Sequence, residues 1–134
     1  MNISKEKIKL IACDLDGTLL NDKKEIGNYT KEILNKLIND YKIELILSSG
    51  RGFDGVKKYN DVLGNNNYSI IMNGSNIVDN NGKILYRKSL EEDISKIVIK
   101  LAEKYDVCVH FFNDLQYTVS RDDFYIKSYI QIEK

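Results

Sequence analysis

One stretch of the chain carries most of the information about its fold, namely residues 8–20, which read IKLIACDLDGTLL. Its first six residues are apolar apart from Lys9, which is typical of a short strand buried on both faces of a sheet. The apolar run ends at Asp14 and Asp16, and Gly17 then permits a sharp turn. The stretch therefore predicts a buried strand that brings two carboxylates to its carboxyl end.

Two further strands are predicted on the same plan. Residues 43–47 and 68–72 are short apolar runs, and each ends in a polar loop that contains glycine, at residues 48–52 and at Asn73-Gly74. Ligands of open parallel sheets bind at the carboxyl ends of the strands. All three polar loops are therefore candidates for one site.

Apolar residues at helical spacing lie between these strands. They predict helices over residues 29–41, with Asn28 as the N-cap, and over residues 53–63, with Gly64 at the carboxyl end. The resulting order of strand, helix, strand, helix, strand indicates a parallel sheet with crossover helices.

The pattern changes after Asn73. The segments 76–79 and 83–88 flank Asn80-Asn81-Gly82, which is a strong hairpin signal. We therefore expect a boundary near residue 80, between a parallel α/β part over residues 1–80 and the start of an α+β part over residues 81–134.

A third helix and two antiparallel strands are expected in this second part. Ser89 and Glu92 have capping-box spacing, and the strands are predicted over residues 107–112 and 115–120. The stretch 122–134 fits a helix or a strand equally well. The apolar face of the helix comprises Leu90, Ile94, Ile97, Val98, Leu101 and Tyr105.

The composition is that of a soluble globular protein. Of the 134 residues, 43% are hydrophobic, and the 20 basic residues balance the 20 acidic ones. This balance leaves no excess of positive charge that would indicate binding to nucleic acid or to an anionic membrane. No apolar run approaches the roughly 20 residues of a membrane span. No secretory signal is seen, and Cys13 and Cys108 are expected to be free thiols in a reducing cytoplasm.

Asp14 and Asp16 suggest phosphoryl-transfer chemistry. Two neighbouring carboxylates repel each other, and a divalent cation such as Mg²⁺, which prefers oxygen ligands, relieves that repulsion. Asp14 would attack phosphorus and form an aspartyl-phosphate, while Asp16 would protonate the leaving oxygen and then activate water. Two other interpretations are a solvated turn and a calcium-binding EF-hand loop. The second lacks glycine at its sixth position, which is Leu19.

Three segments resemble motifs of the haloacid dehalogenase (HAD) superfamily in its Cof-type, IIB branch. CDLDGTLL at residues 13–20 is similar to the first motif, LILSSGR at 45–51 to the second, and IIMNGS at 70–75 to the Asn-Gly segment that follows. The resemblance runs from Lys9 to about Leu90, and the later part resembles only the opening of the cap. It implies an α/β fold with a Rossmann-like parallel sheet, incomplete here, followed by the start of an α+β cap.

The resemblance also implies roles for single residues. Asp14 would be the nucleophile and a Mg²⁺ ligand, and Asp16 the acid/base, with its backbone carbonyl on the metal. Ser49 would donate a hydrogen bond to the phosphoryl group, and Gly50 would let the backbone approach that group closely.

Arg51 and Asn73 would face the substrate. For Arg51, a solvated surface charge is the alternative. His110, the single histidine, is expected to be packed or half-exposed rather than catalytic.

Two motifs of the superfamily have no match. These are a lysine that stabilises the phosphoaspartate and a later acidic Gly-Asp segment; Asp122-Asp123, Lys127 and Lys134 do not fit them. The chain would then be a truncated product, a split enzyme whose missing C-terminal half comes from a second chain, or part of a longer protein. Without that missing half, the first strand, residues 8–13, would lie at an exposed apolar edge of the sheet.

The function that the resemblance implies is a Mg²⁺-dependent phosphomonoester hydrolase acting on small phosphorylated metabolites such as sugar phosphates. The alternatives are a phosphomutase of the same superfamily and a non-catalytic remnant that binds a metal ion or a partner chain.

Overall fold

The computed structural model describes residues 8–113 and 116–120. The stretch 122–134, which the sequence leaves open, lies outside them. The elements, in chain order, are β1 (Leu10–Asp14), α1 (Asn28–Asn39), β2 (Glu44–Ser48), α2 (Phe53–Leu63), β3 (Ser69–Ile71), β4 (Asn76–Val78), β5 (Ile84–Arg87), α3 (Glu92–Tyr105), β6 (His110–Asn113) and β7 (Gln116–Val119).

The first five strands form one sheet in the order β1-β2-β3-β4-β5. The strands β1, β2 and β3 are parallel, whereas β4 and β5 continue the sheet as an antiparallel hairpin. The predicted parallel sheet with crossover helices and the predicted hairpin are therefore confirmed. Both strands of this hairpin, one before and one after residue 80, belong to the five-stranded sheet. The domain boundary near residue 80 stays a prediction. The strands β6 and β7 form a separate antiparallel pair.

The core lies on the inner strands and on the helices that cover them. It comprises Leu15, Leu20, Leu34, Leu45, Leu47, Val56, Tyr59, Leu63, Ile71, Met72 and Val78. Leu15, which separates the two aspartates of the first motif, is fully buried. Its burial stabilises the conformation of the loop after β1, because exposing a side chain of this size to water costs roughly 1.5–3 kcal/mol of free energy.

The strand β1 lies at the outer edge of the described sheet and pairs with β2 alone. Leu10 is 46% exposed and Ile8 is 68% exposed. The prediction of a strand buried on both faces is therefore wrong for the described residues: exposed and half-buried residues alternate along β1, so one face of the strand is exposed and the other is only partly covered. The expected edge position is confirmed.

Two predicted helix caps are also wrong. The helix α1 begins with Asn28 itself, after Gly27, and α3 begins at Glu92, after Glu91. No side chain donates or accepts a capping hydrogen bond at the start of either helix. At the other end of α2, Gly64 adopts φ 61° as predicted. The observed helix starts differ from the predicted ones because the spacing of residues near a cap locates a helix start only to within about one or two residues.

The apolar face of α3 is largely exposed. Ala102 is the buried residue of this helix, whereas Ile94, Ile97 and Leu101 are 44%, 52% and 47% exposed. None of the described helices is long and apolar enough to cross a membrane.

Candidate active site

The two aspartates of the first motif lie where β1 ends. Asp14 is the last residue of β1 and pairs in register with Ser48, the last residue of β2. A turn follows over residues 15–19, and Gly17 takes φ 77° in it, as predicted. The Asp14 side chain is exposed, and its Oδ2 atom accepts a hydrogen bond of 3.4 Å from the Thr18 hydroxyl. The strand before Asp14 excludes the EF-hand interpretation, which requires a helix there.

The loops that follow β2 and β3 are held together by backbone hydrogen bonds. The N–H of Asn73 donates to the Ser49 carbonyl at 3.1 Å, and the N–H of Met72 donates to the Arg51 carbonyl at 3.0 Å. Met72 and Asn73 adopt φ values of 52° and 55°. Two successive non-glycine residues in this region cost energy and tend to occur at functional sites.

Gly50 makes room for the Asn73 side chain. A Cβ atom at Gly50 would lie 2.9 Å from Oδ1 and 3.2 Å from Nδ2 of Asn73. A glycine at this position therefore allows the two loops to meet. The predicted approach of the Gly50 backbone to a phosphoryl group stays a prediction.

Arg51 is buried and ion-paired with Asp16. Its side chain has 5% of its surface exposed. Its Nε and Nη2 atoms donate to the two carboxylate oxygens of Asp16 at 2.7 and 2.8 Å. Such a two-point contact is among the stronger charge-assisted hydrogen bonds. The alternative of a solvated surface charge is therefore wrong.

Two residues that the sequence did not single out, Lys24 and Tyr59, join the Asp16–Arg51 pair and form a cluster of four side chains with it. Lys24 Nζ donates to Asp16 Oδ1 at 2.7 Å. The Tyr59 hydroxyl donates to the Lys24 carbonyl at 2.9 Å and accepts from Arg51 Nη1 at 3.4 Å. In the sequence, Lys24 belongs to a charged loop and Tyr59 to the apolar face of a helix, so no local signal points to either.

The cluster holds Asp16 in its ionised form. Hydrogen bonds from the Arg51 guanidinium hold the pKa of the Asp16 carboxyl well below its usual range; burial opposes this effect, and Lys24 adds to it. The same pairing raises the pKa of Arg51. In this arrangement Asp16 carries a negative charge at neutral pH.

The oxygen atoms near the end of β1 fit part of a Mg²⁺ site. The Asp14 carboxylate is exposed, whereas both carboxylate oxygens of Asp16 already accept hydrogen bonds from cations. That leaves Asp16 to contribute through its backbone carbonyl. Within residues 8–113 and 116–120, no group of three or more His, Cys, Asp and Glu side chains is placed to hold a metal ion.

A cavity of about 600 Å³ opens beside this site. It reaches Gly50 and Asn73 on the sheet side, and His110 and Phe111 on the side of the β6–β7 pair. Asp14, Asp16, Ser49 and Arg51 are not among its lining residues. The structure thus places all six predicted site residues at or just beyond the carboxyl ends of β1, β2 and β3. Two of them, Gly50 and Asn73, line the cavity.

The chain is similar to known phosphatases and hydrolases. The model of the haloacid dehalogenase-like hydrolase family matches residues 11–134. A putative phosphatase of Buchnera aphidicola subsp. Acyrthosiphon pisum is 37% identical over 81% of this chain and 40% of its own length. An HMP-PP phosphatase of Yersinia pestis is 30% identical over 86% of this chain and 42% of its own.

A solved haloacid dehalogenase-like hydrolase from Bacteroides thetaiotaomicron has the same fold. Its TM-score is 0.81 at 26% identity, over 95% of this chain and 49% of that one. The chain therefore spans less than half the length of each of these proteins.

Proposed function

The chain belongs to the haloacid dehalogenase-like hydrolase family, and from this we propose that it forms the first part of a Mg²⁺-dependent phosphomonoester hydrolase. Its substrates are small phosphorylated metabolites such as sugar phosphates. Residues 1–80 belong to the catalytic core and residues 81–134 begin the cap. The observation that carries the proposal is the exposed carboxylate of Asp14, next to the Ser49–Gly50 loop at the carboxyl edge of a parallel sheet.

In the first step, an oxygen of Asp14 attacks phosphorus while the bond from phosphorus to the leaving oxygen breaks. The leaving oxygen takes a proton from Asp16. In the second step, Asp16 accepts a proton from a water molecule, whose oxygen attacks phosphorus and releases Asp14 as a free carboxylate. The products are the alcohol and inorganic phosphate.

Ser49 and the metal ligands assist these steps. The Ser49 Oγ atom accepts a hydrogen bond from the Arg51 N–H at 3.2 Å, so its own proton remains for donation to the phosphoryl group. The Asp14 carboxylate and the Asp16 backbone carbonyl would hold Mg²⁺. When bound, that ion offsets the negative charge that otherwise keeps a carboxylate away from a phosphate.

Asp16 must gain a proton before it can act as an acid. The pairing with Arg51 and Lys24 suits the second step, in which an ionised Asp16 is needed as the base. For the first step, the approach of substrate has to weaken these contacts. The role that the resemblance implies for Arg51, which is to face the substrate, requires the same weakening of its pair with Asp16.

A non-catalytic remnant is the second candidate function, and one observation favours it. Both carboxylate oxygens of Asp16 accept hydrogen bonds from Arg51 and Lys24, and the described residues contain no group of three or more His, Cys, Asp and Glu side chains placed to hold a metal ion. Such a protein would bind a metal ion or a partner chain without turnover. A phosphomutase of the same family would transfer the phosphoryl group to a second substrate rather than to water.

Turnover separates these candidates. The 134-residue chain is combined with a second polypeptide that corresponds to the part of the Buchnera phosphatase not covered by this chain, and hydrolysis of 4-nitrophenyl phosphate is followed with Mg²⁺ and with EDTA. We expect Mg²⁺-dependent release of nitrophenol and phosphate. Mg²⁺ binding without any release would favour the remnant, and transfer to an added sugar phosphate without free phosphate would favour the mutase.

The role of Asp16 is tested by the leaving group. Asp16→Asn removes the proton donor but keeps the backbone carbonyl, so the loss of kcat should be larger for an alkyl phosphate than for 4-nitrophenyl phosphate, whose leaving group needs no proton. Equal losses with both substrates would contradict the acid role.

A further inference from the structure

We propose that the cavity beside the site selects phosphate esters whose leaving group carries a second negative charge. The inference rests on the proposed function, because it takes Gly50 and Asn73 as the end of the cavity where the phosphoryl group lies. It concerns the opposite part of the cavity, which binds the group that leaves.

The charged side chains among the described residues of the cavity wall are of one sign. Arg87 and Lys88 line it, and none of its described lining residues is acidic. This is notable in a chain with as many acidic as basic residues. Among the described residues Lys88 forms no ion pair, so a ligand can neutralise it without displacing a partner. A cleft lined by one sign of charge concentrates ions of the opposite sign.

The backbone that carries Arg87 and Lys88 is held at a fixed position relative to the phosphate end. Arg87 is the last residue of β5 and pairs in register with Asn76 of β4. The N–H of Lys88 donates to the Ser75 carbonyl at 2.8 Å, and the N–H of Ser75 donates to the Met72 carbonyl at 3.1 Å. The turn that carries Asn73 and the backbone of Arg87 and Lys88 are thus joined through the sheet.

The remaining wall is mixed: Ser75, Asn76, Ser89 and Ser95 contribute polar groups, and apolar side chains cover the rest. Val98 of α3 and Val109, Phe111 and Phe112 around β6 contribute to it, and Phe112 also packs against the hydrophobic core. Cavities that bind small metabolites typically measure about 300–1,000 Å³ and combine apolar walls with a few placed polar groups. The ligand that fits has a phosphate at one end, an apolar or planar body, and a carboxylate or second phosphate at the other.

Binding of matched aryl phosphates tests this inference. In the Asp14→Asn background, which cannot form the aspartyl-phosphate, the affinities of the 134-residue chain for 4-carboxyphenyl phosphate, for its neutral analogue 4-carbamoylphenyl phosphate and for a phenyl bisphosphate are measured by equilibrium dialysis. We expect the charged ligands to bind about threefold or more tightly than the neutral one, with a preference that decreases as salt is added.

Lys88→Gln and Arg87→Gln should each reduce this preference and leave the affinity for the neutral ligand nearly unchanged. Lys83→Gln is the matched control, since Lys83 lies in the same hairpin but does not line the cavity. A preference for only one of the two charged ligands would identify the second anion as a carboxylate or as a phosphate.

Equal binding of charged and neutral ligands, or the same loss in Lys83→Gln, would overturn the inference. Either result would leave the proposed function intact, because that function is tested by Asp14-dependent turnover. If none of the three ligands binds, the inference is wrong, and turnover then decides separately whether the phosphatase proposal stands.

Discussion

Arg51 links parts of the site that are distant in the sequence. Its guanidinium binds Asp16 in the loop after β1 and Tyr59 in α2, and its backbone carbonyl accepts a hydrogen bond from Met72 after β3. A buried cation that loses its carboxylate partner is strongly destabilising, because its desolvation is no longer compensated. The Asp16–Arg51 pair is therefore a structural element of the site as well as a candidate for its chemistry.

The pairing makes the stability of the fold depend on pH. Because the pKa of Asp16 is lower in the folded chain than in the unfolded one, its stabilising contribution is fully present above the unfolded value of about 3.9 and is lost as the pH falls further. Asp16→Asn should therefore unfold at a lower urea concentration than the unsubstituted chain at neutral pH, and this difference should shrink below about pH 4. Asp22→Asn, in the same loop region, is the control. A difference that does not change with pH would contradict the pairing.

Asp14 is the residue on which turnover depends. With the later half of a relative supplied, Asp14→Asn should reduce kcat by at least about a thousandfold, because the amide cannot attack phosphorus. The exposed Asp22→Asn serves as the control and should retain full turnover. Wild-type-like turnover of Asp14→Asn would exclude it as the nucleophile.

At the level of elements, the parallel sheet and its crossover helices could be predicted because their signals are local. An apolar run identifies β2, and apolar residues at helical spacing identify α2. The contacts of Asp16 with Lys24 and Arg51 could not be predicted, because these partners lie 8 and 35 positions away from Asp16 in the sequence and meet it only through side-chain geometry. The exposure of β1 depends on which strands lie beside it, and the pattern of β1 alone does not contain that information.

The loops after β2 and β3 meet at Gly50, and this contact can be tested. In Gly50→Ala, the new Cβ would lie 2.9 Å from Oδ1 of Asn73. Because that atom is the end of an exposed side chain, we expect the amide to rotate away at a cost of under about 1 kcal/mol. The side-chain amide resonances of Asn73 should shift in NMR spectra, and the affinity for aryl phosphates should fall.

Gly27→Ala is the matched control for this substitution. A Cβ atom at Gly27 would lie 3.9 Å from the Thr30 hydroxyl, which is an ordinary contact. It should shift neither the Asn73 resonances nor the affinity. Unchanged Asn73 resonances in Gly50→Ala would show that the two loops do not meet as described.

At the scale of the whole molecule, two apolar surfaces stand out as exposed among the described residues. One is the outer side of β1 with Ile8 and Leu10, and the other is the face of α3 with Ile94, Ile97 and Leu101. An outer strand also presents unpaired backbone N–H and C=O groups to other chains. Surfaces of this kind on a soluble chain favour association.

We therefore expect the isolated 134-residue chain to self-associate, and sedimentation velocity measures this directly. Leu10→Lys should reduce association if it occurs along β1, and Ile97→Lys if it occurs through α3, because a charge on either surface resists burial.

Val62→Lys, which replaces a 47% exposed residue of α2 outside both surfaces, is the control. The later half of a relative, added as a second polypeptide, should compete for the β1 edge and reduce association of the unsubstituted chain. A monodisperse monomer at all accessible concentrations would contradict this prediction, and it would mean that neither surface is available for association in solution.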